Sequence, residues 1–206
     1  MAPYGQGKGG FVLGVYSLLA AQLVLTGLVA RTSLAETMSR RPVLLLVGTL
    51  VLVVVIGALP LSTPVKLAAI AAFSLLQAGM FRYAADRAPP GAARAALVSS
   101  AVVFTALGVA GWATAASGIS LAPWAPYLFA FTLAYLVVAI VIGIMKVERR
   151  KSTVLLSVAV LLFSMWTVYD TNAMLSSGYR GTAVDGAFDL YLDATSIFQS
   201  LLGMDS

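Results

Sequence analysis

The stretch FVLGVYSLLAAQLVLTGLVA, residues 11–30, decides the fold class of this 206-residue chain. It carries no charge over its whole length, and as a helix rising about 1.5 Å per residue it would cross about 30 Å of hydrocarbon. A signal peptide has a shorter apolar core that is followed by a small-residue cleavage site. We therefore expect a retained first membrane helix behind a short polar tail at residues 1–10.

Further apolar runs follow the first one along the chain. Five are uncharged or nearly so, and they cover Pro42–Leu59, Val65–Phe81, Ala95–Ala116, Pro126–Met145 and Thr153–Thr171. A sixth, Ala183–Gly203, has the length but contains three aspartates. Only helices and closed barrels satisfy the backbone in lipid, and these runs are too long for barrel strands.

The runs predict an all-α integral membrane protein. We expect a single bundle of six helices, or seven if the aspartate-bearing run also spans the bilayer. The sequence shows no repeat and no separate soluble domain, so residues 11–206 are expected to form one domain. The predicted helices cover about residues 11–30, 42–60, 65–82, 94–116, 125–146, 152–174 and 183–203.

Composition excludes several classes of site. The chain is 60% hydrophobic and only 10% charged, whereas a soluble domain is about 25% charged. It contains neither cysteine nor histidine, which excludes disulfides, zinc or iron held by those residues, cysteine nucleophiles and a Ser-His-Asp triad. The net charge of +5 does not indicate nucleic acid, because the basic residues lie in short loops between apolar runs.

Those loops predict an orientation. The loops after the first, third and fifth runs hold ten of the thirteen basic residues, namely Arg31, Arg40, Arg41, Arg82, Arg87, Arg94, Lys146, Arg149, Arg150 and Lys151. The positive-inside rule assigns them to the cytoplasmic side, with the N-terminus opposite. Trp124 and Tyr127 lie near the end of a run and are expected to anchor it at the interface. A bacterial plasma membrane, the endoplasmic reticulum or Golgi and the mitochondrial inner membrane all remain open as the host.

The last run places its aspartates on one face of a helix. Asp185, Asp189 and Asp193 are spaced by four residues. A carboxylate inside a membrane costs a few kcal/mol unless it faces the bundle interior, water or a partner. Asp185 lies at the helix start, where its charge suits the helix dipole, and Asp189 fits an interfacial or a functional position equally well. Asp193 lies about two turns deeper and is the hardest of the three to explain as structure.

Asp170 is the natural partner of Asp193. It lies shortly before a loop of about ten residues, which makes the flanking helices antiparallel neighbours, so the two carboxyl groups can reach similar depth. Two carboxylates in a low-dielectric site cannot both ionise cheaply, so they share a proton and titrate as one unit. When they separate, their oxygens suit a hard cation such as calcium. The residues therefore indicate a pH-sensitive cation site.

Three segments resemble the transmembrane Bax inhibitor motif family. VYDTN (168–172) is similar to the VYDTQ-type motif of that family, and LYLDATSIFQSLL (190–202) is similar to its LYLDxINLFLxLL motif. VYSLLAAQLVLTGLVA (15–30) resembles the first helix of the family, and the chain has the length and the order of helices of its members.

The resemblance implies six helices around a central C-terminal one and a calcium leak gated by protonation of an aspartate pair. Carried over by motif, Asp170 and Asp193 are the pH sensor and calcium ligands. Beside these two, Asp189, Tyr169, Asn172 and Tyr191 are accessory candidates. It implies no cofactor other than calcium, with the bilayer, calcium, protons and other membrane proteins as partners. Family members act in calcium homeostasis and, in eukaryotes, in the suppression of cell death.

The sequence also departs from the family pattern. Bacterial members have an arginine late in the second helix that latches the sixth-helix aspartate, but PVLLLVGTLVLVVVIGALPL (42–61) has no basic residue, and Lys66 is the nearest. Asn172 replaces the usual glutamine, and Asp189 replaces a neutral residue. A non-conducting membrane partner, or a structural subunit of a larger complex, is therefore an open alternative.

An intramembrane aspartyl hydrolase would also use two aspartates that share a proton. Enzymes of that class carry a glycine after the second aspartate, and neither YDTN (169–172) nor LDAT (192–195) contains one. We therefore expect no enzymatic activity.

Overall fold

The structure, a computed structural model, describes residues 8–144, 149–176, 179 and 181–204. The expected polar tail up to residue 7, Lys146 and Arg180 lie outside these residues. The described part is helical, with eight α-helices and one 3₁₀ helix at Ala122–Trp124. The α-helices are α1 (Lys8–Val29), α2 (Ser33–Ser39), α3 (Pro42–Ala58), α4 (Thr63–Ala85), α5 (Ala92–Ala116), α6 (Ala125–Ile144), α7 (Arg149–Leu175) and α8 (Ala183–Met204).

Every predicted membrane helix corresponds to a helix of the structure. The ends differ by at most three residues, and α1 already begins at Lys8, inside the expected tail. Pro42 and Pro64 stand in the first turns of α3 and α4, where proline is tolerated because its missing N–H would be unpaired anyway. Gly91 precedes α5 with φ +88°, a left-handed conformation that favours glycine.

The short helix α2 is absent from the sequence prediction. Its seven residues lie between the first two apolar runs, in the segment that the sequence predicts as a basic loop. A helix of about two turns is too short to appear as an apolar run in the sequence. Thr32, which precedes it, makes no side-chain capping hydrogen bond that would mark its start. The count among the described residues is therefore eight α-helices rather than seven.

Five described helices are long and apolar enough to cross a membrane, and α2 with α3, which are bent by 99° relative to each other, make a sixth if the pair forms one span. The chain is thus a multi-pass integral membrane protein. Helix α8 has 22 residues but is not among these spans, because its three aspartates lower its hydropathy. A seventh span and a central position for the C-terminal helix remain predictions.

The contacts divide the chain into two compact units. The first comprises Met1–Arg87 and Gly181–Tyr191. Within it, α1, α2 and α3 all pack against α4. Helices α3 and α4 are antiparallel, since Gly48 lies against Leu76 while Gly79 lies against Leu45.

The second unit comprises Ala88–Arg180 and Leu192–Ser206. Within it, α5 and α6 pack against α7. The last turn of α8 lies beside the first part of α7, because a Cβ atom on Gly203 would lie 3.1 Å from a methyl group of Leu156.

Candidate functional site

Asp170 and Asp193 both belong to the second unit. Asp193 lies on α8 and is buried, with 4% of its surface exposed, whereas Asp170 lies on α7 and is half-buried. The burial of Asp193 agrees with its expected position about two turns deeper in the helix than Asp185. Their joint action as an ion site remains a prediction.

Further polar side chains are buried in the same unit. They lie on α5, α7 and the second half of α8, and comprise Ser100, Thr167, Thr171, Asn172, Thr195 and Ser200. Hydroxyl and amide groups buried in a membrane-spanning unit must find hydrogen-bond partners within the protein. The second unit consequently buries several hydroxyl and amide groups in addition to the Asp193 carboxyl.

Asn172 holds the connection between α5 and α6. Its Oδ1 accepts a hydrogen bond from the backbone N–H of Leu121 at 3.0 Å, and its Nδ2 donates to the Ile119 carbonyl at 2.8 Å and to Thr114 Oγ1 at 3.0 Å. The residue is fully buried. Sequence reasoning listed it among the accessory site residues, and the structure gives it a scaffolding role that no local pattern revealed.

Tyr169 belongs to an aromatic cluster on α7. Its ring meets that of Trp166 edge to face with centroids 5.5 Å apart, and the Trp166 Nε1–H donates to Thr132 Oγ1 at 2.8 Å. Tyr169 also lines an apolar groove of about 570 Å³ formed by α5, α6, α7 and the 3₁₀ helix. It thus connects the segment that carries Asp170 to this groove.

Close packing of α5 on α7 depends on Gly111. A Cβ atom there would lie 2.7 Å from the Thr171 Cβ atom and 2.7 Å from the Val168 carbonyl oxygen. Such an approach requires glycine, as is common where membrane helices pack through small residues. Gly111 therefore fixes the distance between α5 and the turn of α7 that carries Asp170.

Tyr191 lies in the first unit. It is fully buried, its hydroxyl lies 2.5 Å from Thr26 Oγ1, and its ring meets Phe73 edge to face. These contacts join α8 to α1 and α4. The structure thus gives Tyr191, another accessory candidate, a packing and hydrogen-bonding role.

Asp185 lies in the first turn of α8 and forms an ion pair with Lys66 of α4, whose Nζ is 2.5 Å from Oδ1. Its other oxygen accepts hydrogen bonds at 2.7 Å from the Thr182 backbone N–H and hydroxyl. Burial raises the pKa of this carboxyl, but the hydrogen bonds and the Lys66 charge outweigh that effect and hold the pKa below its usual range. Asp189, one turn further on, interacts electrostatically with both charges.

Among the described residues no three acidic side chains come together in a group that could hold a metal ion.

The comparison with known families agrees with the two motifs. The sequence model described as inhibitor of apoptosis-promoting Bax1 matches residues 9–204. The chain belongs to the Bax inhibitor family. As a member of this family it is matched from the start of α1 to the end of α8, with both aspartate motifs inside the match. A comparison with curated proteins finds no match.

Proposed function

We propose that this Bax inhibitor family member is a pH-sensitive calcium leak in which Asp170 and Asp193 sense protons and bind the passing ion. The observation that carries the proposal is the burial of Asp193 in the same unit as Asp170. A buried carboxylate needs a proton, a cation or hydrogen-bond donors to balance the loss of water. Two carboxylates that lie close together can share a proton or bind calcium through their oxygens, and both of these partners can exchange.

The short connection between α7 and α8 favours an antiparallel arrangement, and the contact of Gly203 with Leu156 agrees with it. In that arrangement, with Gly203 level with Leu156, Asp193 would be level with Trp166, and Asp170 would lie about 6 Å further along the helix axis at 1.5 Å per residue. One helical turn is a distance that two flexible aspartate side chains, or an ion between them, can bridge.

The mechanism follows from charge. When the pair holds a proton, it carries less negative charge and attracts cations weakly. When it loses the proton, two carboxylates repel each other and their oxygens become ligands for a hard cation. Calcium flux should therefore change with pH as the pair titrates as one unit.

Calcium flux into liposomes that contain the purified protein tests this function. Asp193→Asn and Asp170→Asn should each alter the flux and abolish its pH dependence between roughly pH 6 and 8, because neither variant can titrate as a pair. Asp86→Asn is the matched control, since Asp86 is an exposed residue that pairs with Arg82. Unchanged flux and pH response in both pair variants would refute the proposal.

A second function is favoured by one observation. Helix α3 contains no basic residue, and Lys66, the first basic residue after it in the chain, forms its ion pair with Asp185 in the first unit. A protein without the arginine latch of bacterial relatives fits a non-conducting membrane partner or structural subunit. That role predicts no flux from the purified protein and its recovery in a stoichiometric membrane complex. A role in calcium homeostasis would follow from the leak, and suppression of cell death, in a eukaryotic or viral setting, could follow from the leak or from contacts with partner proteins.

A further inference from the structure

The second unit carries an open groove with an apolar lining. Its volume is about 570 Å³, within the range of roughly 300–1,000 Å³ of small-molecule sites. Its lining is apolar apart from Ser164 and the ring-bearing Tyr169. Several lining side chains are exposed at its edges, including Leu161, of which 65% is accessible. The groove is therefore open to the medium around the helices.

That medium is hydrocarbon. The groove is formed by α5, α6 and α7, all of which are candidate membrane spans. Water would gain nothing in a cavity that offers almost no hydrogen-bond partners. An apolar occupant drawn from the bilayer would restore the dispersion contacts that an empty groove loses.

The dimensions identify the occupant. Along α7 the lining runs from Val158 to Tyr169, which is about 16 Å at 1.5 Å per residue. This length matches one leaflet of a hydrocarbon core about 30 Å thick. The groove therefore has room for one extended hydrocarbon chain that lies along α7.

One end of the groove carries the marks of the membrane interface. Trp124 lines that end, and Tyr127 stacks against it edge to face with centroids 6.3 Å apart. Both rings are largely exposed, and such rings favour the level of the lipid headgroups. The headgroup of a lipid would lie at this end while its chain extends toward Val158.

From these observations we propose that the groove binds one acyl chain of a membrane phospholipid as a defined site. This binding is independent of calcium conduction. It does, however, bring the chain against Tyr169, the residue that precedes Asp170 on α7.

Photolabelling tests the site without any ion gradient. The protein is reconstituted in liposomes that contain phosphatidylcholine with a diazirine in one acyl chain, and the adducts are located by mass spectrometry. We expect adducts concentrated on the lining residues of α6 and α7. Equal labelling of the groove and of the exposed face of α3, which includes Val43 and Val54, would show ordinary surrounding lipid only and would overturn the proposal.

Variants that fill the groove sharpen the test. Val158→Trp places a large side chain in the lining, and it should lower groove labelling at least fivefold. Val137→Trp is the matched control. Val137 is exposed and lies about two and a half turns beyond Leu128, so it is on the face of α6 opposite to the groove. This variant should leave labelling of the groove unchanged. Ser164→Phe fills the same groove independently if Val158→Trp fails to fold. Undiminished labelling in a folded filling variant contradicts the proposal, whatever the result of the calcium experiment.

Discussion

The Nζ atom of Lys66 lies 2.5 Å from Oδ1 of Asp185 and joins the first turn of α4 to the first turn of α8. Both side chains are partly buried, with 17% and 28% of their surfaces exposed. In the sequence, Lys66 stood out as the basic residue nearest to the missing latch. In the structure its partner is Asp185, which belongs to the same unit.

Loss of this ion pair should destabilise the protein. Lys66→Met leaves a partly buried carboxylate without its cation, and we expect a loss of about 1–3 kcal/mol in the free energy of unfolding. Arg40→Met, which removes an exposed pair with Glu36, should cost less than about 1 kcal/mol. Thermal unfolding in detergent at neutral pH compares the two. Equal losses would show that burial of the Lys66–Asp185 pair has no energetic consequence.

The same pair predicts a pH dependence. Because the pKa of Asp185 is lower in the folded state than its usual value, its stabilising contribution is complete above about pH 4 and is lost as the pH falls through the folded-state pKa. Asp185→Asn should therefore show a smaller loss of stability on acidification than the parent protein. Unfolding measured from pH 6 to pH 3 tests this difference, and parallel curves for the two proteins would contradict it.

The hydrogen bond between Tyr191 and Thr26 should stabilise the first unit. Tyr191→Phe and Thr26→Val each remove one side of a buried bond, and a double-mutant cycle should give a coupling energy of about 1 kcal/mol. Because these residues join helices in the structure, the pH response of any calcium flux should persist in Tyr191→Phe. Loss of that response in a stably folded variant would instead make Tyr191 part of the ion site.

Asn172 should be essential for the connection between α5 and α6. Asn172→Ala removes three hydrogen bonds and leaves the Leu121 N–H and the Ile119 carbonyl without their partner, so we expect a loss of about 2–4 kcal/mol. Ser117→Ala in the same connection removes one exposed hydrogen bond to Ala113 and should change stability by less than about 0.5 kcal/mol. Unfolding measurements that rank the two variants otherwise would exclude the scaffolding role.

Gly111 should tolerate no side chain. Gly111→Ala places a methyl group 2.7 Å from Thr171 and the Val168 carbonyl, so α5 and α7 must separate, at a cost of about 1–3 kcal/mol. Gly27→Ala on α1 meets no atom within 4 Å and should be neutral or stabilise the helix by up to about 1 kcal/mol. Stability measured for both variants distinguishes a packing requirement from the general effect of alanine in a helix.

Much of the fold could be predicted because hydrophobic length is a local property. Each run such as residues 11–30 satisfies its own backbone and its own contact with lipid, so composition alone locates it. Helix α2 escaped prediction for the opposite reason: its seven residues are too short to carry a pattern, and it is held by packing on α4.

The candidate site was only partly predictable. Burial of Asp193 could be expected from its depth in an apolar helix, since its position along the helix is a property of the sequence. The roles of Asn172, Tyr191 and Lys66 could not be predicted. Their partners lie 51 or more residues away in the chain, and a sequence pattern cannot pair residues at such separations.

The sequence by itself determined that this is a helical, multi-pass membrane protein of the Bax inhibitor family. The lengths of the apolar runs and the two short motifs are properties of consecutive residues, so they can be recognised without the tertiary structure. Tertiary structure alone decided which polar groups meet: Lys66 with Asp185, Tyr191 with Thr26, and Asn172 with the α5–α6 connection. It also formed the groove beside Tyr169. The physical reason is that a buried polar group requires a partner and a helix surface requires a neighbour, and packing decides which ones are within reach.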